Sequence, residues 1–181
     1  MKLNVVKYHP KKWLRDKMKR IEEMLGDFIF AKVGLVLEKI INPDITIDKV
    51  TDLDEEQIEF IKKYYGIKGI ILDVDDTLRT NLNDIPPINQ EWINQLSKQL
   101  KIIVVSNGLD RNVEKYFNEI GITYIPIAFK PLKRGFKKAC EELELRPEEI
   151  LVVGNSLFDD IYGGKRMNMK TALVKDVEEV R

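Results

Sequence analysis

Three aspartates, Asp73, Asp75 and Asp76, stand within four residues and directly follow an apolar run of strand length that begins at Gly69. In an extended segment, residues two apart point to the same side, so the carboxylates of Asp73 and Asp75 are expected to share one space. Their repulsion costs energy unless a cation or a shared proton offsets it. A hard divalent ion such as Mg2+, which prefers carboxylate and carbonyl oxygens, fits this arrangement. The alternative from these residues alone is a solvated acidic turn.

Polar and charged residues also follow the later strands that the sequence predicts. Ser106-Asn107-Gly108 offers a hydroxyl, an amide and backbone N–H groups to an anion. Lys130 supplies a cation after an apolar segment, and Gly154-Asn155-Ser156 is followed about one helical turn later by Asp159 and Asp160. Each of these signals is weak alone, but all of them lie at predicted strand ends.

The elements that must position these residues alternate regularly from Gly69 onward. Strands are predicted at 69–74, 102–105, 123–125, 150–153 and 171–174, and helices at about 88–99, 111–120, 132–143 and 158–166. Such alternation predicts an α/β fold with a parallel sheet and helices on both faces. Ligands bind at the carboxyl ends of the strands in these sheets.

Residues 1–66 are predicted to form a mostly helical extension, and residues 67–181 a catalytic domain. The extension's predicted elements are helices at 10–25 and 27–41, a short strand at 45–47, and a helix ending at 65 that Thr51 or Asp52 caps. The second helix is apolar but is interrupted by charges and is too short to span a bilayer.

The first twenty residues hold eight Lys or Arg against one acidic residue, with Trp13 and Leu14 among them. This pattern is typical of a helix that lies on an anionic membrane surface, and it predicts peripheral membrane contact. The alternative is an ordinary solvated helix face.

Composition is that of a globular protein, with 181 residues, 44% hydrophobic and 33% charged. Lys+Arg and Asp+Glu both number 30, which argues against nucleic-acid binding over the whole surface. Cys140 is the only cysteine and His9 the only histidine, so an intrachain disulfide and a zinc site of His and Cys are both excluded. A reducing, cytoplasmic location is expected, since no stretch resembles a signal peptide.

Taken together, the strand-end residues resemble the four motifs of the haloacid dehalogenase (HAD) superfamily of phosphatases. The matching segments are, in order, Asp73-Val74-Asp75-Asp76-Thr77, Ser106-Asn107, Lys130, and Gly154-Asn155 with Asp159 or Asp160. Phe129–Leu132, Leu157–Asp160 and Gly163-Gly164 further resemble the YqeG-type branch of subclass IIIA, which is related to phosphatidylglycerophosphate phosphatases. The resemblance covers residues 69–175 and implies a three-layer Rossmannoid fold, Mg2+ dependence and phosphomonoester hydrolysis.

The resemblance also implies a role for each matched residue. Asp73 would attack phosphorus and form an aspartyl phosphate, while Asp75 would protonate the leaving oxygen and then deprotonate water. Lys130 would offset the negative charge, and Ser106, the Asn107 backbone and Thr77 would contact the phosphate or the nucleophile.

Metal binding is implied for Asp73, for the Asp75 carbonyl, for Asn155, and for Asp159 or Asp160. Most relatives carry an aspartate where this chain has Asn155, and an amide oxygen is a neutral, weaker ligand. Asp159 or Asp160 would compensate, and Asp160 is closer to the YqeG-type pattern.

The spacing between motifs leaves no room for an inserted cap domain, since 33 positions separate Asp73 from Ser106 and 24 separate Ser106 from Lys130. An open site suits a bulky substrate, and the basic N-terminal segment favours a phospholipid head group such as that of phosphatidylglycerophosphate. The alternatives are a phosphatase of soluble phosphomonoesters and a catalytically weak HAD-like scaffold. A receiver-type signalling module fits poorly, because its phosphorylated aspartate would lie on a later strand than the acidic pair.

Overall fold

The computed structural model describes residues 41–80 and 84–175 of the chain. The basic N-terminal segment and the helices predicted within residues 1–40 lie outside the described residues. From Ile41 onward the chain belongs to one compact unit. Within the described ranges, no helix has the length and apolarity that crossing a membrane would require.

A sheet of six parallel strands forms the centre of this unit. Its strands are β1 (Ile45–Ile47), β2 (Gly69–Leu72), β3 (Lys101–Val105), β4 (Thr123–Ile125), β5 (Ile150–Gly154) and β6 (Lys170–Val174). Their order across the sheet is β1-β6-β5-β2-β3-β4, so β2 lies between β5 and β3. The runs of Val, Ile and Leu in β2 and β5 are buried throughout, as expected for a sheet covered on both faces.

Helices cover the two faces of the sheet and form two hydrophobic cores. They are α1 (Glu55–Tyr65), α2 (Pro87–Leu96), α3 (Arg111–Glu119), α4 (Lys133–Leu143) and the short α5 (Gly163–Lys165). Side chains alternate along β2, so Ile70 and Leu72 pack in the core with α1, α2 and α3, whereas Ile71 packs in the other core with α4. The predicted three-layer α/β sandwich is therefore confirmed.

Residues 41–66, which the sequence pattern placed in the N-terminal extension, pack with the sheet. β1 pairs with β6, and Ile45 lies opposite Ala172. Asp44, one residue before β1, accepts a hydrogen bond from the Thr171 backbone N–H at 2.9 Å. The compact unit therefore includes residues on both sides of the predicted boundary at residue 66.

The start of α1 differs from the prediction that Thr51 or Asp52 caps it. Asp54 is the N-cap, and its Oδ1 accepts the Gln57 backbone N–H at 2.9 Å. Asp52 ends a 3-10 turn, and its Oδ2 instead accepts the Lys49 backbone N–H at 3.0 Å. The segment offers several side chains able to cap, and the intervening 3-10 turn moves the start of the helix to the last of them.

The helix predicted at 158–166 is also different in detail. Leu157–Tyr162 forms a π-helical turn, and α5 follows it directly. Wide turns of this kind are frequent at functional sites, and this one follows the strand end at Gly154.

Candidate active site

The predicted site residues lie at the carboxyl edge of the sheet, in the segments that follow four neighbouring strands, β5, β2, β3 and β4. Asp73 follows β2, and its backbone N–H continues the ladder to the carbonyl of Val153 in β5 at 3.0 Å. Ser106 follows β3, and its N–H donates to the Ile125 carbonyl of β4 at 3.0 Å. Because the ladder extends into the loops, the first polar residue after each strand keeps the position that the sheet gives it.

Lys130 joins two carboxylates in the interior of the site. Its Nζ lies 2.6 Å from Asp73 Oδ1 and 2.6 Å from Asp160 Oδ1. Asp73, Lys130 and Asp160 are 8%, 6% and 1% exposed, so these ion pairs form largely out of water. A buried lysine is tolerated here because both carboxylates compensate for its lost hydration.

Lys130 and Asp160 perturb each other's protonation, and the charge of Asp73 acts on both. Burial alone would lower the pKa of Lys130, but Asp160 and Asp73 outweigh burial and raise it above its usual value. Burial raises the pKa of Asp160 above the usual range of a carboxyl group; Lys130 counteracts this rise, and the charge of Asp73 adds to it. The protonation of Lys130 and that of Asp160 are therefore linked.

Asp160 is fixed by its backbone surroundings as well as by Lys130. Its Oδ2 accepts the Ser156 backbone N–H at 3.1 Å, and its carboxyl group packs directly on Gly154, where any side chain would overlap it. Neighbouring Asp159 is half-buried, and its N–H donates to Ser156 Oγ at 3.0 Å. Glycine at 154 is thus required by a close approach.

Thr77 brings Asp73 and Asn155 together. Its Oγ1 donates to Asp73 Oδ2 at 3.0 Å and accepts the Asn155 backbone N–H at 3.1 Å. The amide oxygen of Asn155 lies 3.5 Å from the same hydroxyl. The buried hydroxyl therefore connects the end of β2 to the end of β5.

The donors at this point fit a hard cation. Asp73 supplies a carboxylate and Asn155 an amide oxygen, both within reach of the Thr77 hydroxyl, and oxygen donors of this kind suit Mg2+. Both oxygens of Asp160 accept hydrogen bonds from Lys130 or Ser156, so this residue supports the site through the lysine. Within residues 41–80 and 84–175, no three His, Cys, Asp or Glu side chains cluster as a metal site.

The side chain of Asn107 has a partner that the sequence does not reveal. Its Nδ2 donates to the Lys130 carbonyl at 3.1 Å, and its Oδ1 accepts the Lys130 N–H at 2.6 Å. The neighbouring Ser106 hydroxyl accepts the Gly108 N–H at 3.0 Å, which shapes the turn after β3. The amide of Asn107 thus holds the segment that carries Lys130.

Arg79 is a site residue that the motifs did not identify. Its Nε donates to Asp75 Oδ1 at 2.9 Å, its Nη2 lies 2.9 Å from the same oxygen, and its Nη1 donates to Asp110 Oδ2 at 2.8 Å. Arg79 is 3% exposed. Burial would lower the pKa of Arg79, but the hydrogen bonds that it donates to Asp110 and Asp75 outweigh burial and raise it. The hydrogen bond from Arg79 lowers the pKa of Asp110. The available sequence signal was the spacing of four residues between Asp75 and Arg79.

Large apolar side chains are exposed in the loops that carry the site residues, and we call this group the apolar rim. Its members are between 39% and 58% exposed, and they are Leu109, Ile127, Phe129, Leu132 and Phe158. They neighbour the turn after β3, Lys130 and Asp160 in sequence, and the Ile127 N–H donates to the Gly108 carbonyl at 3.2 Å. Three basic residues close to members of the rim in sequence are also exposed, and they are Lys133, Arg134 and Arg166.

The known proteins that this chain resembles include a hydrolase family and two phosphatases. The family model "haloacid dehalogenase-like hydrolase" matches residues 80–168. The chain is 31% identical over 144 residues to the probable phosphatase YqeG of Bacillus subtilis, covering 78% of this chain and 81% of that protein. It is 36% identical over 114 residues to the glyceraldehyde 3-phosphate phosphatase of Pyrococcus furiosus, covering 58% of this chain and 48% of that protein.

Solved structures share the fold. A HAD family enzyme from Bacteroides thetaiotaomicron, solved as a mutant in complex with magnesium and inorganic phosphate, superposes with a TM-score of 0.51. The alignment covers 64% of this chain and 97% of that one, at 14% identity.

Proposed function

The chain belongs to the haloacid dehalogenase-like hydrolase family and is a phosphatase of that family, and we propose that it hydrolyses phosphomonoesters with Mg2+ through an aspartyl phosphate on Asp73. The observation that carries this proposal is the Asp73 carboxylate, which is buried and held between the Lys130 ammonium and the Thr77 hydroxyl. A carboxylate in this position has a fixed orientation toward the site, and its charge is compensated before substrate arrives.

The reaction divides into two displacements on phosphorus. In the first, a carboxylate oxygen of Asp73 bonds to phosphorus, the ester P–O bond breaks, and Asp75 gives a proton to the leaving alcohol. In the second, Asp75 takes a proton from water, the water oxygen bonds to phosphorus, and the bond to Asp73 breaks to release inorganic phosphate. One residue thus acts first as acid and then as base.

The surrounding groups stabilise the charge that both displacements create. Lys130 neutralises part of the charge on Asp73 and on the transferring group, while the Ser106 hydroxyl and the Asn107 backbone N–H bind phosphoryl oxygens. Asp73, Asn155 and the Asp75 carbonyl would hold Mg2+, with Asp159 or Asp160 supporting it. The bound cation would supply charge neutralisation to the phosphoryl oxygens.

The substrate that fits this site best carries its phosphate on a larger apolar molecule. Phe129 and Leu132 flank Lys130 in sequence and are 58% and 57% exposed, so exposed apolar side chains belong to the segment that carries the lysine. Contiguous exposed apolar groups mark interaction sites. Together with the exposed basic residues, the apolar rim favours the head group of an anionic phospholipid such as phosphatidylglycerophosphate.

A soluble phosphomonoester is the second candidate. It is favoured by the 36% identity to a glyceraldehyde 3-phosphate phosphatase, which spans 58% of this chain. A sugar phosphate, a nucleotide or a phosphoprotein would also enter an uncapped site. The third reading, a catalytically weak scaffold, rests on the neutral ligand Asn155.

Phosphate release by the purified protein tests these candidates. The substrates are phosphatidylglycerophosphate in mixed micelles and a panel of soluble phosphomonoesters, each with Mg2+ or with EDTA, and Asp73→Asn is the inactive control. Metal-dependent release that is lost in the variant supports the aspartyl-phosphate mechanism. Release that is independent of Asp73 contradicts it, and no release from any substrate supports the scaffold reading.

Variants of the apolar rim separate lipid from soluble substrates. Phe129→Ser and Leu132→Ser are expected to raise KM for the micellar lipid by about tenfold, because each removes apolar surface that would enter the lipid layer, and to leave soluble substrates unchanged. The matched control is Tyr64→Ser, which removes an aromatic ring that is 63% exposed on α1. Equal effects of rim and control variants would argue against a lipid substrate.

Peripheral membrane contact through the basic N-terminal residues is a separate proposal. Removal of residues 1–40 deletes no strand of the sheet, whose first strand begins at Ile45. We expect this removal to weaken binding to vesicles that contain phosphatidylglycerol. Unchanged vesicle binding and lipid-phosphate turnover would refute the contact.

A further inference from the structure

Arg79 holds one oxygen of Asp75 and leaves the other to the site. Nε donates to Oδ1 of Asp75 at 2.9 Å, and Nη2 lies 2.9 Å from the same oxygen. Two guanidinium nitrogens on one carboxylate oxygen hold that oxygen in place through charge-assisted contacts. The Asp75 side chain is 44% exposed although its partner is buried, so the carboxyl group remains accessible from the site.

The second oxygen faces the turn that would bind phosphate. A Cβ placed on Gly108 would lie 3.4 Å from Asp75 Oδ2 and 3.5 Å from Ser106 Oγ. The space beside Gly108 is therefore bounded by the Asp75 oxygen on one side and by the serine hydroxyl on the other. A leaving oxygen on a phosphate bound at this turn comes within reach of Oδ2.

Asp110 anchors the other side of the guanidinium. It accepts Arg79 Nη1 through Oδ2 at 2.8 Å, and through Oδ1 it caps α3 by accepting the N–H groups of Asn112 and Val113 at 2.9 and 3.3 Å. Arg79 is thus attached to the first turn of a helix rather than to a free loop. A bridge with both ends fixed gives Asp75 little freedom to turn.

We propose that Arg79 is a positioning residue for the acid/base step, which binds Oδ1 of Asp75 and thereby directs Oδ2 to the leaving oxygen. In the first displacement the proton passes from Oδ2 to that oxygen as the ester P–O bond breaks, and Arg79 stabilises the carboxylate that remains. In the second, Oδ2 takes the proton of the attacking water. This inference rests on the proposed function, because it assigns the acid and base to Asp75.

Leaving-group dependence distinguishes this role from a structural one. An alkyl phosphate such as glycerol 3-phosphate needs a proton on its leaving oxygen, whereas p-nitrophenyl phosphate releases a weakly basic phenolate without one. The kcat/KM value reports the steps up to transfer of the phosphoryl group. General acid catalysis contributes about 10²- to 10⁴-fold, so we expect Arg79→Met to lower kcat/KM by about 10- to 100-fold for the alkyl ester. For the p-nitrophenyl ester we expect a change of about threefold or less.

Matched variants keep this test independent of folding. Asp110→Asn retains an efficient N-cap but removes the ion pair, and is expected to show the same substrate discrimination to a smaller degree. Arg79→Lys, which retains charge but bonds at one point, should recover part of the alkyl-ester activity. Arg146→Met removes an arginine that pairs with Glu149 on the surface, and serves as the control.

A double-variant cycle tests whether Arg79 acts through Asp75. In an Asp75→Asn background, Arg79→Met is expected to have no further effect on the alkyl ester. Equal losses on both esters, no loss on either, or an undiminished effect in the Asp75→Asn background would each overturn the assignment. If the unsubstituted protein shows no Asp73-dependent turnover of either ester, the proposed function itself fails. That outcome is distinct from the three that overturn only the role of Arg79.

Discussion

The side-chain amide of Asn107 is hydrogen-bonded to both backbone groups of Lys130, accepting its N–H at 2.6 Å and donating to its carbonyl at 3.1 Å. The turn after β3 and the segment after β4 are thus joined across 23 residues by one side chain. Because the Lys130 ammonium reaches Asp73 from this backbone, the amide determines where the charge lies.

Replacement of Asn107 should therefore reduce catalysis more than stability. Asn107→Ala is expected to lower kcat by about 10-fold or more, since the lysine loses its two backbone anchors while its charge remains. Asn107→Asp keeps the acceptor and loses the donor, so its kcat should lie between that of the unsubstituted protein and that of Asn107→Ala. Steady-state kinetics with Asp73-dependent phosphate release measures both, and unchanged kcat in Asn107→Ala would show that the lysine is positioned without the amide.

Substitution of Gly154 should displace Asp160. Even the Cβ of alanine would overlap the Asp160 carboxyl group, so Gly154→Ala is expected to disturb the pairing with Lys130 and to abolish most activity. Gly66→Ala is the control, because Gly66 has a φ of 69° with open space around it and should lose only about 1 kcal/mol of stability. Retained activity in Gly154→Ala would mean that Asp160 can move without consequence.

Asp44 should make stability depend on acidic pH. Although burial raises its pKa, hydrogen bonds from Lys165 and Thr171 and the charge of Lys170 outweigh burial and lower the pKa below its usual value. A lowered folded-state pKa gives stabilisation that is complete above the unfolded value of about 3.9 and is lost as the pH falls through the folded value. Asp44→Asn is therefore expected to lower the free energy of unfolding by about 1 to 2 kcal/mol at pH 7, and by progressively less below about pH 4.

Urea denaturation at several pH values measures this effect. Asp48→Asn is the matched control, because Asp48 pairs with Lys175 from a side chain that is 74% exposed, and such pairs contribute about 0.5 kcal/mol or less. A loss in Asp44→Asn that persisted unchanged at pH 3 would assign the effect to packing and not to charge.

Asn155→Asp should preserve or tighten the dependence on Mg2+. The substitution adds a negative charge next to Asp73 and Thr77, so the Mg2+ concentration for half-maximal activity is expected to fall by about tenfold. In EDTA the same added repulsion should lower the melting temperature. A complete loss of turnover would show that the amide has a task other than metal binding.

Much of the fold was predictable because local pattern determined it. The buried runs in β2 and β5 can form only interior strands, and the alternation with helices selects a parallel sheet. The site was predictable where a residue directly follows a strand, as do Asp73, Ser106 and Asn155. Their proposed roles stay predictions until the kinetics above are measured.

The remaining features depend on tertiary contacts that no local pattern encodes. Arg79 meets Asp110 across 31 residues, and Asp44 meets Thr171 across 127. Nothing in the local sequence of Arg79 or Asp44 specifies these partners. The start of α1 was missed for the opposite reason, since several adjacent residues could cap it and only packing distinguishes them.

The two strands at the margins of the sheet, β1 and β4, are its shortest, with three residues each among the described residues. An unpaired strand edge is a template for pairing with another chain, and the hazard grows with the length of backbone that is left open. Between margins of three residues, the longer apolar strands are paired on both sides. We therefore expect these short outer strands to limit edge-to-edge association of a molecule that has exposed apolar loops.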